Sequence, residues 1–412
     1  MKLLNLNFRR FECKSYAQEF FAIIPFFIFF PIGIIHLGAL ILIVLIVIEG
    51  GVKEKWSIIK SDKLFIPFIV LALVVLLNFL FLSTENVLRW SSVIHYLIFI
   101  YYFAFVSVGR GDWQRKAKNV FIIGAVYGAS VFYLSHLNFL PDWTIFKNYT
   151  IYRGNKSISL GIFLAIAAAW LLSDVLHSMV KRRQWIEIIG FVYISLAILF
   201  LVKTRTGMLL FFILSLLVTV RHLQFSPRGL ALALSLVLIP VVAWNSSFVF
   251  RERSLVTVEA VRAFSAGEMG TGQGNRLQFV SKTGEMILEK PLLGHGIGSW
   301  LQQYPVRAQG LETAQMSTPH SDYLLYAAEL GVVGLLALLA ILGRLLLVAW
   351  RIRGVQGMQL LVLGSALIVG CAFNAILRDW KFGLPMMILL AVAMSDDRYS
   401  KVINPDPCES IK

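Results

Sequence analysis

Apolar runs of membrane-spanning length recur along the 412 residues, separated by short charged breaks. A helix needs about 20 apolar residues to cross a bilayer, and shorter runs are accommodated by thinning or snorkelling. Reading runs against breaks predicts spans at 64–83, 91–108, 119–134, 157–178, 185–202, 207–220, 229–247, 321–349, 355–372 and 382–395. The stretch 20–49 is either one very long helix or a tight hairpin broken near Pro31 and Gly33. Charge selects the hairpin. Lys2, Arg9, Arg10 and Lys14 precede it, and Lys53, Lys55, Lys60 and Lys63 follow it. Both flanks read as cytoplasmic, so an even number of crossings lies between them. The expected fold class is an all-α polytopic membrane protein with about 12 transmembrane helices and both termini cytoplasmic. Its expected divisions are helices 1–9 over residues 1–247, a large outer loop over 248–320, helices 10–12 over 321–395, and a cytoplasmic tail over 396–412.

Composition agrees. The chain is 58% hydrophobic and 15% charged, against about 25% charged for a soluble domain. A soluble enzyme, a disordered regulator and a disulfide-stapled secreted module are excluded. The first apolar stretch is too long for a signal-peptide core and lacks a clear small-residue cleavage site, so no cleavable leader is expected. Cys13, Cys371 and Cys408 lie far apart and suggest neither a disulfide framework nor a zinc site. The net charge of +15 belongs to loops beside lipid headgroups rather than to a nucleic-acid surface. The expected cytoplasmic segments hold 23 of the 38 basic residues, including Arg110, Arg182, Arg221, Arg344 and Arg351. The outer segments keep 15 against nine acidic residues, a net of +6. Two readings of that excess stand: long loops escape the insertion rule, or the outer side binds an anion.

One connection, 248–320, is long enough for structure of its own. Asn275 can cap a helix running to about Glu289. Leu277, Val280, Ile287 and Leu288 would share one face of it. Pro291 and the glycines of PLLGHGIGSW (291–300) then stop the helix. Such an amphipathic helix is expected against the bundle or in the headgroup plane.

Within STPHSDYLL (317–325), Ser317 or Thr318 can cap the next helix and Pro319 suits its first position, which puts His320 in the first turn. Helix-end N–H groups there favour an anion and a neutral imidazole, and a neutral histidine beside phosphate suits a general base. The alternative is an interfacial polar residue at a helix start. Gly331 and Gly334 return close to the His320 face at about 100° per residue, where small residues admit a neighbouring helix. Arg205, in KTRTGMLL (203–210), and Arg276, in GQGNRLQF (272–279), carry planar forks of donors matched to a pyrophosphate. Snorkelling or solvation is the plain alternative for each. Lys203, and more weakly Lys147, Arg153 and Lys156, add positive charge to that side. Glu329 reads as a hydrogen-bond or packing partner, and GHGIG (294–298) as a turn, lacking the GK(S/T) of a phosphate loop. No HExxH, DxD or clustered Cys/His occurs, so a metal-independent mechanism and no cofactor are expected.

HSDYLLYAAELGVVG (320–334) fits the pattern His-(Asn/Ser/Gln)-x9-Gly-x-x-(Gly/Thr/Tyr) through His320, Ser321, Gly331 and Gly334. RTGML (205–209) fits Arg-x3-Leu through Arg205 and Leu209. With the run GNRLQF…ILEKPLLGHGIGSW, these motifs resemble the bacterial O-antigen ligases, within the superfamily that includes O-antigen polymerases and protein O-oligosaccharyltransferases. Phe279 stands where an aromatic residue, often Trp, is common in that family. The resemblance implies a GT-C-like glycosyltransferase of the bacterial inner membrane with its active site facing the periplasm. Its donor would be O-antigen polysaccharide on undecaprenyl pyrophosphate, its acceptor lipid A–core oligosaccharide, and its product lipopolysaccharide. Inversion at the anomeric centre without metal or ATP is implied as well. His320 would be the base, and Arg205 and Arg276 would hold the pyrophosphate. The reading from another class is a secondary transporter, but no internal repeat is visible and the polar residues gather at the outer surface.

Overall fold

The computed structural model describes residues 16–82, 87–140, 156–178, 181–223, 240–265 and 275–394, with residues 234 and 238. Among these, every regular element is helical. In chain order they are α1 (Tyr16–Ile23) continuing as a 3-10 turn (Ile24–Phe29), α2 (Ile32–Ile48), α3 (Val52–Ser61), α4 (Phe65–Phe81), α5 (Val87–Tyr96) and α6 (Phe99–Val106). Then come α7 (Trp113–His136), α8 (Lys156–His177), α9 (Lys181–Phe200), α10 (Arg205–Leu223) and α11 (Phe248–Ser265). Last are α12 (Asn275–Glu289), α13 (Trp300–Arg307), a 3-10 turn (Glu312–Gln315), α14 (Asp322–Arg351), α15 (Gly354–Phe373) and α16 (Trp380–Met394).

Six helices (α7, α8, α9, α10, α14 and α15) are long and apolar enough to cross a membrane, and α2 with α3 would make a seventh crossing if their 119° bend is one span. The segment 16–29, α4 and α16 are apolar but shorter. The chain is a multi-pass membrane protein. Most expected spans coincide with helices to within a few residues. The exceptions are 91–108, which breaks at Leu97–Ile98 into α5 and α6, and 229–247, of which residues 229–233, 235–237 and 239 fall outside the described residues. Asp396 and Asp397, which were read as tail residues, also lie outside them. The stretch 20–49 does turn back on itself. Pro31 separates the 3-10 turn from α2, and the Ala17 amide donates to Glu49 Oε1 at 2.9 Å, closing the two ends together.

The two most enclosed helices are apolar on every side. In α8, residues 159–173 are all buried, and in α16 residues 382–393 are all buried. A helix without a polar face has nowhere to sit but among other helices. α8 packs against α7, α9, α10 and α15. Its contact with α10 is backbone on backbone: a Cβ on Gly207 would stand 2.9 Å from Gly161 Cα. That approach seats the first turn of α10, and with it Arg205.

The long connection is built rather than loose. It holds α11, a helix beyond the one its sequence pattern predicts, as well as α12 and α13. α12 spans the predicted residues but buries a different face. Phe279, Thr283 and Met286 are enclosed, while Val280 and Leu288 are exposed. The reason is α13: Trp300 Nε1 donates to Thr283 Oγ1 at 3.0 Å, and Phe279 packs on Tyr304.

α14 starts later than expected and is not continuous. Ser321 is its N-cap, accepting from the Leu324 amide, and Asp322 is its first residue. His320 therefore precedes the helix, with φ 50°. At Gly331 (φ 69°, ψ −168°) the helix breaks. Segment 291–298 fills the break. The Val332 and Val333 amides donate to Pro291 O (2.8 Å) and Leu292 O (3.4 Å), while the His295 and Gly296 amides donate to Ala328 O (2.9 Å) and Glu329 O (3.0 Å). These bonds give backbone groups at the break partners outside the helix. The buried Glu329 carboxylate accepts from Tyr96 OH (2.6 Å), Gly298 N (2.9 Å) and Trp300 N (3.0 Å). Asn78 Nδ2 donates to Leu293 O, and its Oδ1 accepts from Ile297 N. Because of this break, the expected alignment of Gly331 and Gly334 with His320 along a straight helix does not exist. Gly331 meets the 291–298 segment, and Gly334 faces Leu330 of its own helix rather than a neighbour.

A Cβ at residue 331 would lie 2.2 Å from Leu292 O, in a left-handed conformation. Gly331→Ala is expected to cost ~2 kcal/mol or more. The measurement is thermal unfolding of the purified protein in detergent, where an unchanged midpoint would contradict the wedge.

Candidate active site

A cavity of about 670 Å³ lies between the first turns of α10, the length of α11, the start of α12, the segment 319–321 and the last residues of α15. Its walls are largely apolar, with Met208, Leu209, Phe212, Phe250 and Phe373 among them. Arg205, Arg276 and His320 supply its charged and titratable groups. Three segments far apart in sequence therefore meet at one place.

Arg205 is the first residue of α10 and half-buried. A helix N-terminus of this kind favours a nearby anion. Asn374 Nδ2 donates to Thr206 Oγ1 at 3.2 Å, tying this helix start to the turn after α15. Arg276 stands in the first turn of α12 with Cζ 5.9 Å from the Phe373 ring centre. Leu277 and Val280, expected on the packing face of α12, line the cavity with it.

His320 is held from behind. Its ring meets Phe279 edge-on at 5.2 Å, and Phe279 in turn packs on Trp300 and Tyr304, which stack at 4.3 Å. Its amide donates to Thr318 Oγ1 at 3.3 Å. Burial pushes the His320 imidazole below its ordinary range, and the Arg276 guanidinium pushes the same way, while Asp379 pulls it up. The balance favours the neutral ring.

Lys203 is exposed beside Arg205 and does not line the cavity. Lys156 begins α8, and Lys147 and Arg153 lie outside the described residues. Leu209 and Ser321 are on the cavity wall. Gly331 and Gly334 are not; they shape α14.

Residues 190–339 match the family model described as O-antigen ligase. That stretch, less than half of the chain, is similar to the O-antigen ligase superfamily. No protein of curated function matches it. The matched stretch carries Arg205, Arg276, His320, Gly331 and Gly334, so the superfamily region contains both the cavity's charged groups and the α14 break.

Two further residues near the cavity carry no motif that marks them in the sequence. Asp379, counted before only as an outer acid, acts electrostatically on His320. Asp322 is fully buried and accepts from the Leu377 (2.9 Å) and Arg378 (3.3 Å) amides. The Arg378 side chain reaches Ser317 O. Asp322 thus clamps the turn that carries Asp379 beside the segment that carries His320. An acid in the first turn of a membrane helix was the available signal. Phe279 was noted only for its residue type; its place behind His320 needed the fold.

Arg205→Gln and Arg276→Gln should each weaken binding of inorganic pyrophosphate about tenfold or more, the loss of one charge-assisted contact. Calorimetric titration of the detergent-purified protein reads this directly. Unchanged affinity in both variants would remove the arginines from the site.

Proposed function

We propose that the protein is an O-antigen ligase. It moves O-antigen polysaccharide from undecaprenyl pyrophosphate to lipid A–core oligosaccharide. The enzyme sits in the bacterial inner membrane with both termini cytoplasmic, and its cavity faces the periplasm. The observation that carries this reading is the cavity itself: two guanidinium groups and one histidine favoured neutral, around a largely apolar volume. A lipid diphosphate is both apolar and doubly charged, and this lining matches both properties.

In the proposed step, a hydroxyl of the core sugar attacks the anomeric carbon of the donor. The new glycosidic C–O bond forms as the C–O bond to pyrophosphate breaks. Attack from the face opposite the leaving group inverts the anomeric centre. His320 takes the hydroxyl proton, which requires an uncharged ring. Charge accumulates on the departing diphosphate, and Arg205, Arg276 and the N-terminus of α10 stabilise it. The glycosyl pyrophosphate carries its own leaving group, so no nucleotide hydrolysis is needed. α11 and α12 wall the cavity on the loop side, which limits water access and wasteful hydrolysis.

His320→Ala, Arg205→Ala and Arg276→Ala should each abolish lipopolysaccharide ladders when a ligase-deficient strain is complemented, with membrane expression retained. Normal ladders in all three would refute the assignment. Failure of the wild-type gene to restore ladders, together with restoration in a polymerase-deficient strain, would move the acceptor to a second lipid-linked glycan.

The pH profile gives a separate check. A histidine with a lowered folded pKa stays a competent base below the ordinary value of about 6.5 and is lost only as pH falls through the lower value. The acid limb of kcat/KM for sugar transfer should therefore lie below pH ~6.5. A limb at or above that value contradicts His320 as the base.

A further inference from the structure

A second cavity, of about 690 Å³, lies at the end of α14 opposite His320. Arg344 lies on α14 beyond the Gly331 break, on the far side of it from His320. Four cations from three parts of the chain line this cavity: Lys63 between α3 and α4, Arg110 between α6 and α7, and Arg344 and Arg351 on α14. One carboxylate, Asp62, lines it too. Both its oxygens are engaged, Oδ2 by Tyr102 OH at 2.7 Å and Oδ1 by the Leu64 amide at 2.8 Å. Lys63 and Arg110 act on Asp62 electrostatically. Among the described residues, however, none of the four cations comes within ion-pair distance of a carboxylate. Arg344 Nε donates only to Lys63 O, at 3.3 Å. The cavity thus gathers four positive charges around one negative charge.

Its depth follows from α3. This helix turns 119° away from α2 and buries none of its residues. It carries Lys53, Lys55 and Lys60 with Trp56, and Lys60 Nζ sits 5.2 Å over the Trp56 ring. A short basic helix with an exposed tryptophan, bent off a membrane helix, lies in the headgroup plane. Ile58 and Ser61 of that helix form part of the cavity wall. Val106, Val348, Ile352 and Met394 add apolar surface beside the cations.

We propose that this cavity binds the phosphate headgroup of an anionic phospholipid, with the cations on the phosphate and the apolar wall against the first carbons of the acyl chains. Basic pockets between membrane helices at headgroup depth recognise such lipids by this combination. The site is separate from the glycosyl-transfer cavity and does not depend on that function. One rival occupant belongs to the chain itself: Met394 lines the cavity, and the sequence continues Ser395-Asp396-Asp397.

The test uses the full-length protein, delipidated in detergent. Its thermal unfolding is followed while diphosphatidylglycerol, phosphatidylethanolamine or inorganic phosphate is added, with native mass spectrometry counting bound lipid. Diphosphatidylglycerol should raise the midpoint and remain bound, and phosphatidylethanolamine should do neither. Arg344→Gln with Arg351→Gln should weaken the anionic lipid about tenfold or more. Arg353→Gln, exposed and off the cavity wall, should leave it unchanged. If the α14 pair fails to fold, Lys63→Gln with Arg110→Gln removes the same charge from loops. Equal binding of both lipids, or unchanged binding in the cavity variants, overturns the proposal. Saturation by inorganic phosphate alone overturns the lipid as occupant. Lipid binding that appears only after Asp396→Asn with Asp397→Asn assigns the cavity to the tail and overturns it as well.

Discussion

The break in α14 at Gly331 is the constraint on which the rest of the site depends. A membrane helix that stops hydrogen-bonding to itself midway must find other partners, because lipid offers none. Here the partners are the backbone groups of residues 291–296, and Glu329 and Asn78 extend the exchange to the side chains. The consequence is rigidity across a boundary that is usually soft. Helices α12 and α13 are joined to α14 through the buried hydrogen bonds of the segment between them. A buried carboxylate with three donors is costly to break and costly to shift. Arg276 on α12 and His320 before α14 inherit that fixed relation.

The cavity's electrostatics follow from how those pieces meet. Burial, and after it the Arg276 guanidinium, discourage a proton on His320. Two arginines lining one volume suit an anionic ligand, and cations already held in place leave little to rearrange when negative charge builds up on a leaving group. Asp379 moderates the effect on the histidine, and Asp322 fixes the turn on which Asp379 sits. The aromatic group of Phe279, Trp300 and Tyr304 keeps water from the far side of the imidazole.

The two ends of α14 carry different chemistry on one element. Its N-terminal side presents Ser321 and Leu324 to the candidate active site, while its last turns carry Arg344 and Arg351 to the opposite face. Exposed apolar side chains on α2 and α4, such as Leu37, Val44, Leu73 and Leu77, suit a surface that faces lipid. The enclosed positions on α8 and α16 show the opposite case, with helices so apolar that only the bundle interior suits them.

How much of this was legible in the residues alone divides along physical lines. Transfer of an apolar run into lipid is a local property, so the runs located α4, α7 to α10 and α14 to α16 well. Pro31 marked the turn between the first segment and α2 because proline cannot continue the helix before it. Arg205, Arg276 and His320 could be nominated from residue chemistry and from motif resemblance. Their meeting at one cavity could not, since it depends on which faces α10, α12 and α14 present to each other. The first turn of α14 was misplaced because Ser317 and Thr318, followed by Pro319, also fit a helix start, and Ser321 prevails where Asp322 is clamped to residues 377–378. The break at Gly331 was invisible for the same reason. A glycine within an apolar run is compatible with a continuous helix until another segment, nearly forty residues earlier, inserts its carbonyls. Local hydropathy and residue type determined which helices form and which side chains could do the chemistry. Only tertiary packing, which joins groups distant in sequence, decided where α14 yields and which of those side chains share a volume.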